Sequence, residues 1–313
     1  MKTVTVKNTY DIQLSGKPSV ECTTLTESSK EVAVLPNAIP HFKPKMAVKE
    51  GDIVKIGTPI FFDKRYPRIQ FVSPGAGAVS KIHYGPKRVV EKVIIQLADT
   101  EEEATFASYS KDNIAALDRN ALVEAITQGG LWGVFKEFPF QRIPNPEAIP
   151  PIIYVNIDND EPYYPESSVY LKGKESLFEI GIMALRQLAA HVVVSKSVRN
   201  QSLSNEVMSL VTHDIEGHYP ANQPGVVLYH TKSTQKDNAS WGIDGQDVIR
   251  LATLLTTGHY PKEKVVVVAG ALISNPKHML VREGVSVSAL LQDNPVTEEP
   301  ARYIAGRIYG EKN

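Results

Sequence analysis

Cysteine is nearly absent: Cys22 is the single one in 313 residues. One thiol rules out an intramolecular disulfide framework, an all-cysteine zinc site and an iron–sulfur cluster held within the chain. With no activating base beside it in the sequence, Cys22 reads as an ordinary reduced thiol. Long hydrophobic runs are also missing. The longest, VVVVAGALI at 265–273, is about half of the roughly 18–20 residues needed to cross a bilayer, so membrane association is expected only through a partner. The opening MKTVTVKNTYDIQLSGKPS has no apolar signal-peptide core, which argues against export. Nor is there an excess of either charge: 34 basic residues against 35 acidic leave a net charge of −1. That balance gives no electrostatic reason for a nucleic-acid partner.

What is present divides along the chain, which is long enough for two or three hydrophobic cores. Between residues 31 and 97 short apolar runs (TPIFF, IQFV, AVSKI, KVIIQL) alternate with Gly, Pro and charged turns, a β domain in which Gly51 and Gly57 mark turns of positive φ. An acidic stretch follows, then NIAALDRNALVEAITQGG, whose Leu117, Leu122, Val123 and Ile126 fit one helix stopped by Gly129 and Gly130. The Pro-rich IPNPEAIPP at 143–151 reads as a boundary. From 152 strands and helices alternate. IIYVNI, HVVVSK and VVLYH read as strands, and helices are expected over 174–190, within LSNEVMSLV and within DGQDVIRLATLLTTG, with Gly258 as the last stop. Such alternation argues for a parallel, Rossmann-like sheet. The remainder, from KVVVVAGALI to ARYIAGRIYG, reverts to strands around one short helix, a small α+β module. No solenoid-type repeat is present.

Four constellations invite chemistry. In FFDKRYPRIQFVSPGAGAV, residues 61–79, Lys64 follows an apolar strand in the manner of a carrier lysine, but eight residues separate it from Ser73. That turn is longer than a carrier hairpin, and Lys64 reads as a solvated charge. GGLWGVF at 129–135 supplies glycines, but Trp132, Phe135, Phe138 and Phe140 would obstruct the backbone approach that a phosphate cradle requires. The segment suits a flat apolar ligand, a partner surface or buried core. His213, His218 and His230 have no metal-binding spacing, and without a GxSxG elbow nothing points to a hydrolase. PNAIPHFKPKM, with His41, reads as a structural loop.

The order of segments carries more than any single motif. DIQLSGKP, FKPKMAVKEGDIVKIGTPIFFDKRYPRIQFVSPGAGAV, GPKRVVEKVIIQ, GGLWGVFKEFPFQRIP, GHYPANQPG, WGIDGQDVI and GALISNPKHMLVREGVSVSALL resemble successive blocks of the NqrA family, the A subunits of the Na⁺-translocating NADH:quinone reductase, over nearly the whole chain. The resemblance implies mixed α/β and β architecture: a barrel-sandwich, lipoyl-like domain with an N-terminal extension (1–100), a helical connector with a degenerate Gly/aromatic loop (101–150), a Rossmann-like α/β domain (151–262) and a β-grasp, SLBB-like module (263–313). It implies a peripheral subunit on the cytoplasmic face of the bacterial inner membrane, not catalytic alone. The complex would pass electrons from NADH to ubiquinone while exporting sodium, with NAD and flavins bound by other subunits and no cofactor on this chain. Family members continue beyond ARYIAGRIYGEKN, so the resemblance also implies a shortened C-terminus. The related C subunit of the Rnf electron-transport complex carries a glycine-rich flavin loop where this chain reads GGLWGVFKEFPFQRIP. An Rnf-type electron-transfer protein and a scaffold without a ligand site are the alternatives. For the quinone, Trp132, Phe135, Phe138 and Phe140 are the expected stacking side, with Lys136 and Arg142 polarising a carbonyl oxygen as negative charge develops on it.

Overall fold

Alternating apolar and polar residues build the first unit. The computed structural model describes residues 1–25, 29–292, 294–298 and 300–306. In strand Val90–Leu97, Val90, Val93 and Ile95 are buried while Glu91 and Gln96 face water. A register shift opposite His83 and Tyr84 lets Val90 and Val93 share a face despite their odd spacing. The strand lies in an antiparallel sheet of order Glu31–Val34, Val90–Leu97, Gly77–Tyr84, Ile53–Val54. A three-stranded sheet, Pro44–Met46, Pro59–Asp63, Gln70–Val72, completes the unit. Its core holds Val32, Ile60, Phe61, Val79, Val93 and Ile95, and the Phe61 and Phe71 rings stack at 5.0 Å. The expected positive-φ turns are present at Gly51 and Gly57.

The second unit is a six-stranded sheet of order Lys2–Thr5, His213–Glu216, His191–Ser197, Ile152–Asn156, Trp241–Asp244, Lys136–Glu137. All neighbours are parallel except the last pair. Counted along the chain from Ile152, its four central strands run third, second, first, fourth. Helices Glu175–Leu188 and Gly245–Thr257 pack against each other on one face, and Pro224–Thr231 contacts strands from the other. Phe178, Ile182, Leu185 and Leu188 of the first helix are buried, each contributing about 1.5–3 kcal/mol relative to exposure. A methyl group at Gly181 would lie 2.4 Å from Val248 Cγ1 and 2.5 Å from its carbonyl oxygen, so glycine permits the close crossing of the two helices.

Three sequence expectations are corrected here. NIAALDRNALVEAITQGG forms two helices, Lys111–Ala116 and Arg119–Gln128, because Leu117 is extended and the Asp118 carboxylate caps the second by accepting from Asn120 and Ala121 N–H. VVLYH is helical, within Pro224–Thr231; Pro224 at the first turn starts the helix and packing against the sheet outweighs the β-propensity of its valines. The third strand of the alternating region is instead His213–Glu216. At the C-terminal side, residues 301–306 form no strand, and the rest of ARYIAGRIYG, from 307, lies outside the described residues.

The N-terminal segment is spent on the other units. Lys2–Thr5 extends the six-stranded sheet, and Ser19–Thr24 lies parallel to Lys277–Arg282 in a three-stranded sheet completed by Glu263–Val268. Helix Val287–Leu291 follows that sheet. Residues 119–137, expected to form part of a connector, supply a helix and an edge strand to the α/β unit. Among the described residues no helix is long and apolar enough to cross a membrane.

Candidate functional site

Helix Arg119–Gln128 ends at Gly129, and the chain turns at Gly130 with φ of +78°. A Cβ at Gly130 would lie 2.6 Å from a Val72 methyl, so the barrel unit packs directly on this turn. Trp132, Phe135 and Trp241 then form a closed cluster, with ring centroids 5.1–5.6 Å apart and none exposed. The Trp132 indole N–H donates to the Pro144 carbonyl at 3.0 Å, satisfying the buried donor. Phe138 belongs to a different cluster, with Val6, Tyr154, Ile215 and Val227. An odd offset of three along an extended edge strand puts Phe135 and Phe138 on opposite faces of the sheet. Phe140 is 65% exposed. The four aromatics are therefore not gathered into one wall.

The two cations of the segment are also separated. Lys136 Nζ donates back to the Gly133 carbonyl at 3.1 Å. Arg142 lies with its guanidinium 6.0 Å from the centroid of the Phe140 ring and donates from Nε to Glu137 at 2.7 Å. Phe140 and Arg142 thus form the accessible end of this segment. The glycine-rich stretch is packed around bulky rings, with Gly130 against Val72 and Gly133 against Phe71.

Lys64 follows strand Pro59–Asp63, is exposed, and donates its backbone N–H to the Lys43 carbonyl at 3.0 Å. The buried neighbour Asp63 pairs with Arg65 at 2.8 Å, which fixes the turn internally. The histidines are scattered: His213 contacts Thr212 Oγ1 at 2.8 Å, His218 faces Asp11 at 3.6 Å, and His230 lies edge-on to Tyr229.

A cleft that the sequence reading did not single out opens at the carboxyl ends of strands Ile152–Asn156 and His191–Ser197. Its volume is about 570 Å³, and Asp158, Asp160, Tyr164, Glu166, Ser168, Arg199, Asn200, Gln201 and Ser202 are among the residues that line it. Asp158 accepts from the Ser197 N–H at 2.9 Å, the Ser167 hydroxyl at 2.9 Å and the Asn200 amide at 2.8 Å. Burial pushes its carboxyl above the usual range, against the lowering effect of these hydrogen bonds. Asp160 is held by Arg199 at 3.0 Å and by both the backbone and side-chain nitrogens of Asn222 at 2.9 Å. Below, the buried Lys196 pairs with Asp214 at 3.0 Å and donates to the Ser197 and Asn200 carbonyls at 3.2 Å, pinning the second loop. The signal in the sequence was IDNDEPYYPESS after one strand and SVRNQS after the next: polar loops at the carboxyl ends of adjacent parallel strands, where ligands of such sheets bind.

Two family models match the chain, one described as the NqrA N-terminal barrel-sandwich hybrid domain over residues 4–98 and one as the NqrA second alpha/beta domain over residues 117–260. A relative from Pseudomonas aeruginosa, strain UCBPP-PA14, named as the A subunit of the Na(+)-translocating NADH-quinone reductase, is 32% identical over 308 residues, covering 98% of this chain and 68% of that protein. Proteins of the same name from Alcanivorax borkumensis and Histophilus somni are 30% and 29% identical, and the alignments cover 69% and 68% of their lengths. Among solved structures, a NAD⁺-reducing [NiFe]-hydrogenase in the air-oxidized state matches at a TM-score of 0.37 and 14% identity, covering 62% of this chain and 44% of that one, too slight a likeness to bear on function. With two domain matches and 32% identity running in one order across nearly its full length, the chain belongs to the NqrA family, the A subunits of the Na⁺-translocating NADH-quinone reductase.

Proposed function

We propose that this chain is the peripheral, quinone-facing subunit of a sodium-exporting NADH:ubiquinone reductase, acting with partner subunits on the cytoplasmic face of the bacterial inner membrane. NAD and flavins are held by those other subunits, and ubiquinone is the substrate of the complex. In this reading the parallel sheet with its third, second, first, fourth strand order is Rossmann-like. The mixed sheet of Ser19–Thr24, Glu263–Val268 and Lys277–Arg282 with helix Val287–Leu291 is a β-grasp, SLBB-like module used for assembly.

One observation supports the quinone contact: Phe140 stands 65% exposed beside the Arg142 guanidinium, in the turn that follows edge strand Lys136–Glu137, which is anchored by the buried Trp132–Phe135–Trp241 cluster. A ring stacked on Phe140 would bring a carbonyl oxygen within reach of a fixed cation, which stabilises the charge that develops on reduction. Trp132, Phe135 and Phe138 support this tip from the interior, and Lys136 braces its base. Equilibrium titration with a short-chain ubiquinone analogue, followed by quenching of intrinsic fluorescence, tests the assignment. Saturable binding weakened about tenfold or more by Phe140→Ala and by Arg142→Ala is expected. Absence of saturable binding to the folded chain, or binding indifferent to both substitutions, leaves the scaffold reading instead.

A further inference from the structure

The cleft at the carboxyl ends of the two central strands has a chemistry that the quinone reading does not use. Its volume of about 570 Å³ is that of a small-molecule site, far more than a single ion requires. Three carboxylates, Asp158, Asp160 and Glu166, line it against one guanidinium, Arg199, which is already committed to Asp160 and to the Gly217 carbonyl. Phosphate, carboxylate and other anionic ligands are therefore disfavoured by charge. An apolar ring such as a quinone would strip water from Asp158, a carboxylate solvated only by neutral donors, and return nothing to it.

The lining also tells hydroxyl from ammonium. An ammonium only donates, so it would satisfy the carboxylates and leave the buried amide N–H of Asn159 unmatched. A hydroxyl donates and accepts at once. The cleft sets carboxylate acceptors beside the Asn159 amide and the Ser168 hydroxyl, while Asn200, Gln201 and Ser202 donate within the wall to Asp158 and Ser167, to the Val198 carbonyl and to Asn200 Oδ1. The Asn159 amide nitrogen is buried and makes no hydrogen bond among the described residues. Tyr164 and Pro165 add a flat wall against which the carbon face of a ring or chain can lie. The site is rigidly built, since Lys196 and Asp214 fasten the loop that carries Arg199 and Asn200, and Asp158 joins Ser167, Ser197 and Asn200.

We propose that this cleft binds a small uncharged polyhydroxylated molecule, a sugar, a nucleoside or a sugar-derived polyol, whose adjacent hydroxyls donate to Asp158 and Asp160 and accept from the Asn159 amide and the Ser168 hydroxyl. The probes are adenosine and ribitol as neutral hydroxylated ligands and AMP as the anionic counterpart, measured by calorimetry and saturation-transfer NMR on the whole chain. Saturable binding of at least one neutral probe is expected, with AMP about tenfold or more weaker than adenosine. Asp158→Asn should weaken binding by tenfold or more. Ser168→Leu, on the half-buried rim, should block the cleft while leaving the far-ultraviolet circular dichroism and melting temperature of the protein unchanged, which covers the case in which the Asp158 variant folds poorly. AMP binding tighter than adenosine, no saturable binding of either neutral probe, or binding untouched by Ser168→Leu would each overturn the proposal.

Discussion

Replacing Arg250 by methionine tests how the α/β unit and the C-terminal hairpin hold together. Arg250 sits on helix Gly245–Thr257 with its side chain 7% exposed, donating to Asp247 at 3.1 Å, to Glu283 at 2.7 Å and to Tyr260 Oη and the Pro261 carbonyl at 3.3 Å. Methionine keeps the stem volume and removes the charge. Glu283 would retain the Tyr260 hydroxyl at 2.6 Å, and Asp247 would retain Lys264 at 3.6 Å. Removing one partner from a buried ion pair costs about 3–5 kcal/mol, and the remaining lysine places the effect near the lower end, about 3 kcal/mol. Both tryptophans lie in the core of the α/β unit, so urea unfolding followed by tryptophan fluorescence reads the loss directly. Adding Glu283→Gln to the variant should restore part of it, because the stranded carboxylate is then neutral. A loss below about 1 kcal/mol, or a double variant whose costs simply add, would refute the idea that a dry charge network governs this junction. The pH dependence has a fixed sign. Burial alone would raise the Asp247 carboxyl, but Lys264 and Arg250 hold it below the usual 3.8, so its stabilisation is present above that value and lost as pH falls through the folded-state pKa.

Three further outcomes follow from the same structure. Glu101 grips Arg282 with both oxygens at 2.6 and 2.5 Å, joining the barrel to the hairpin. Burial opposes its ionisation, but Arg282 and the Ala76 N–H hold its carboxyl below the usual 4.5. Glu101→Gln should cost about 1–2 kcal/mol in urea melts at neutral pH, with the difference from the parent shrinking as pH falls through the folded-state pKa. Burial, then Lys2 and the N-terminal ammonium, hold His213 below its usual 6.5, so the stability it contributes exists above about pH 6.5 and is lost as pH falls through the folded value. Hydrogen exchange of the edge strand Lys2–Thr5, corrected for intrinsic rates, should therefore be faster in acid than at neutral pH; equal protection would count against it. Trp132→Ala should cost about 3–5 kcal/mol as a core cavity, whereas Phe140→Ala should stay within about 0.5 kcal/mol, and thermal melts of the two variants separate a core aromatic from a surface one.

The barrel strands, the two long helices of the α/β unit and the left-handed stop at Gly258 were legible because each has a local cause: period-two alternation, a broad apolar stripe, or a residue tolerant of positive φ. VVLYH was not, since a run of five apolar and aromatic residues fits a buried strand and a buried helix equally, and the deciding contacts with strand Ile152–Asn156 lie about 70 residues away. The aromatic segment shows the same limit. Its composition pointed to a ring-binding wall, yet Trp132 and Phe135 face one side of an edge strand and Phe138 the other, a separation that depends on pairing with Trp241–Asp244.

By itself the sequence determined the kind of protein this is: a carrier-type β unit, an alternating α/β unit and a final small module, in the block order of one family. It could do so because local patterning and segment order are one-dimensional properties. Only the tertiary structure decided that the first 25 residues serve the other two units rather than the barrel they precede, since Lys2–Thr5 pairs with His213–Glu216 and Ser19–Thr24 with Lys277–Arg282. It alone decided which aromatics remain at the surface and that two polar loops about 40 residues apart enclose a cleft. Those outcomes depend on hydrogen-bond partners and packing between distant segments, and no window of neighbouring residues contains them.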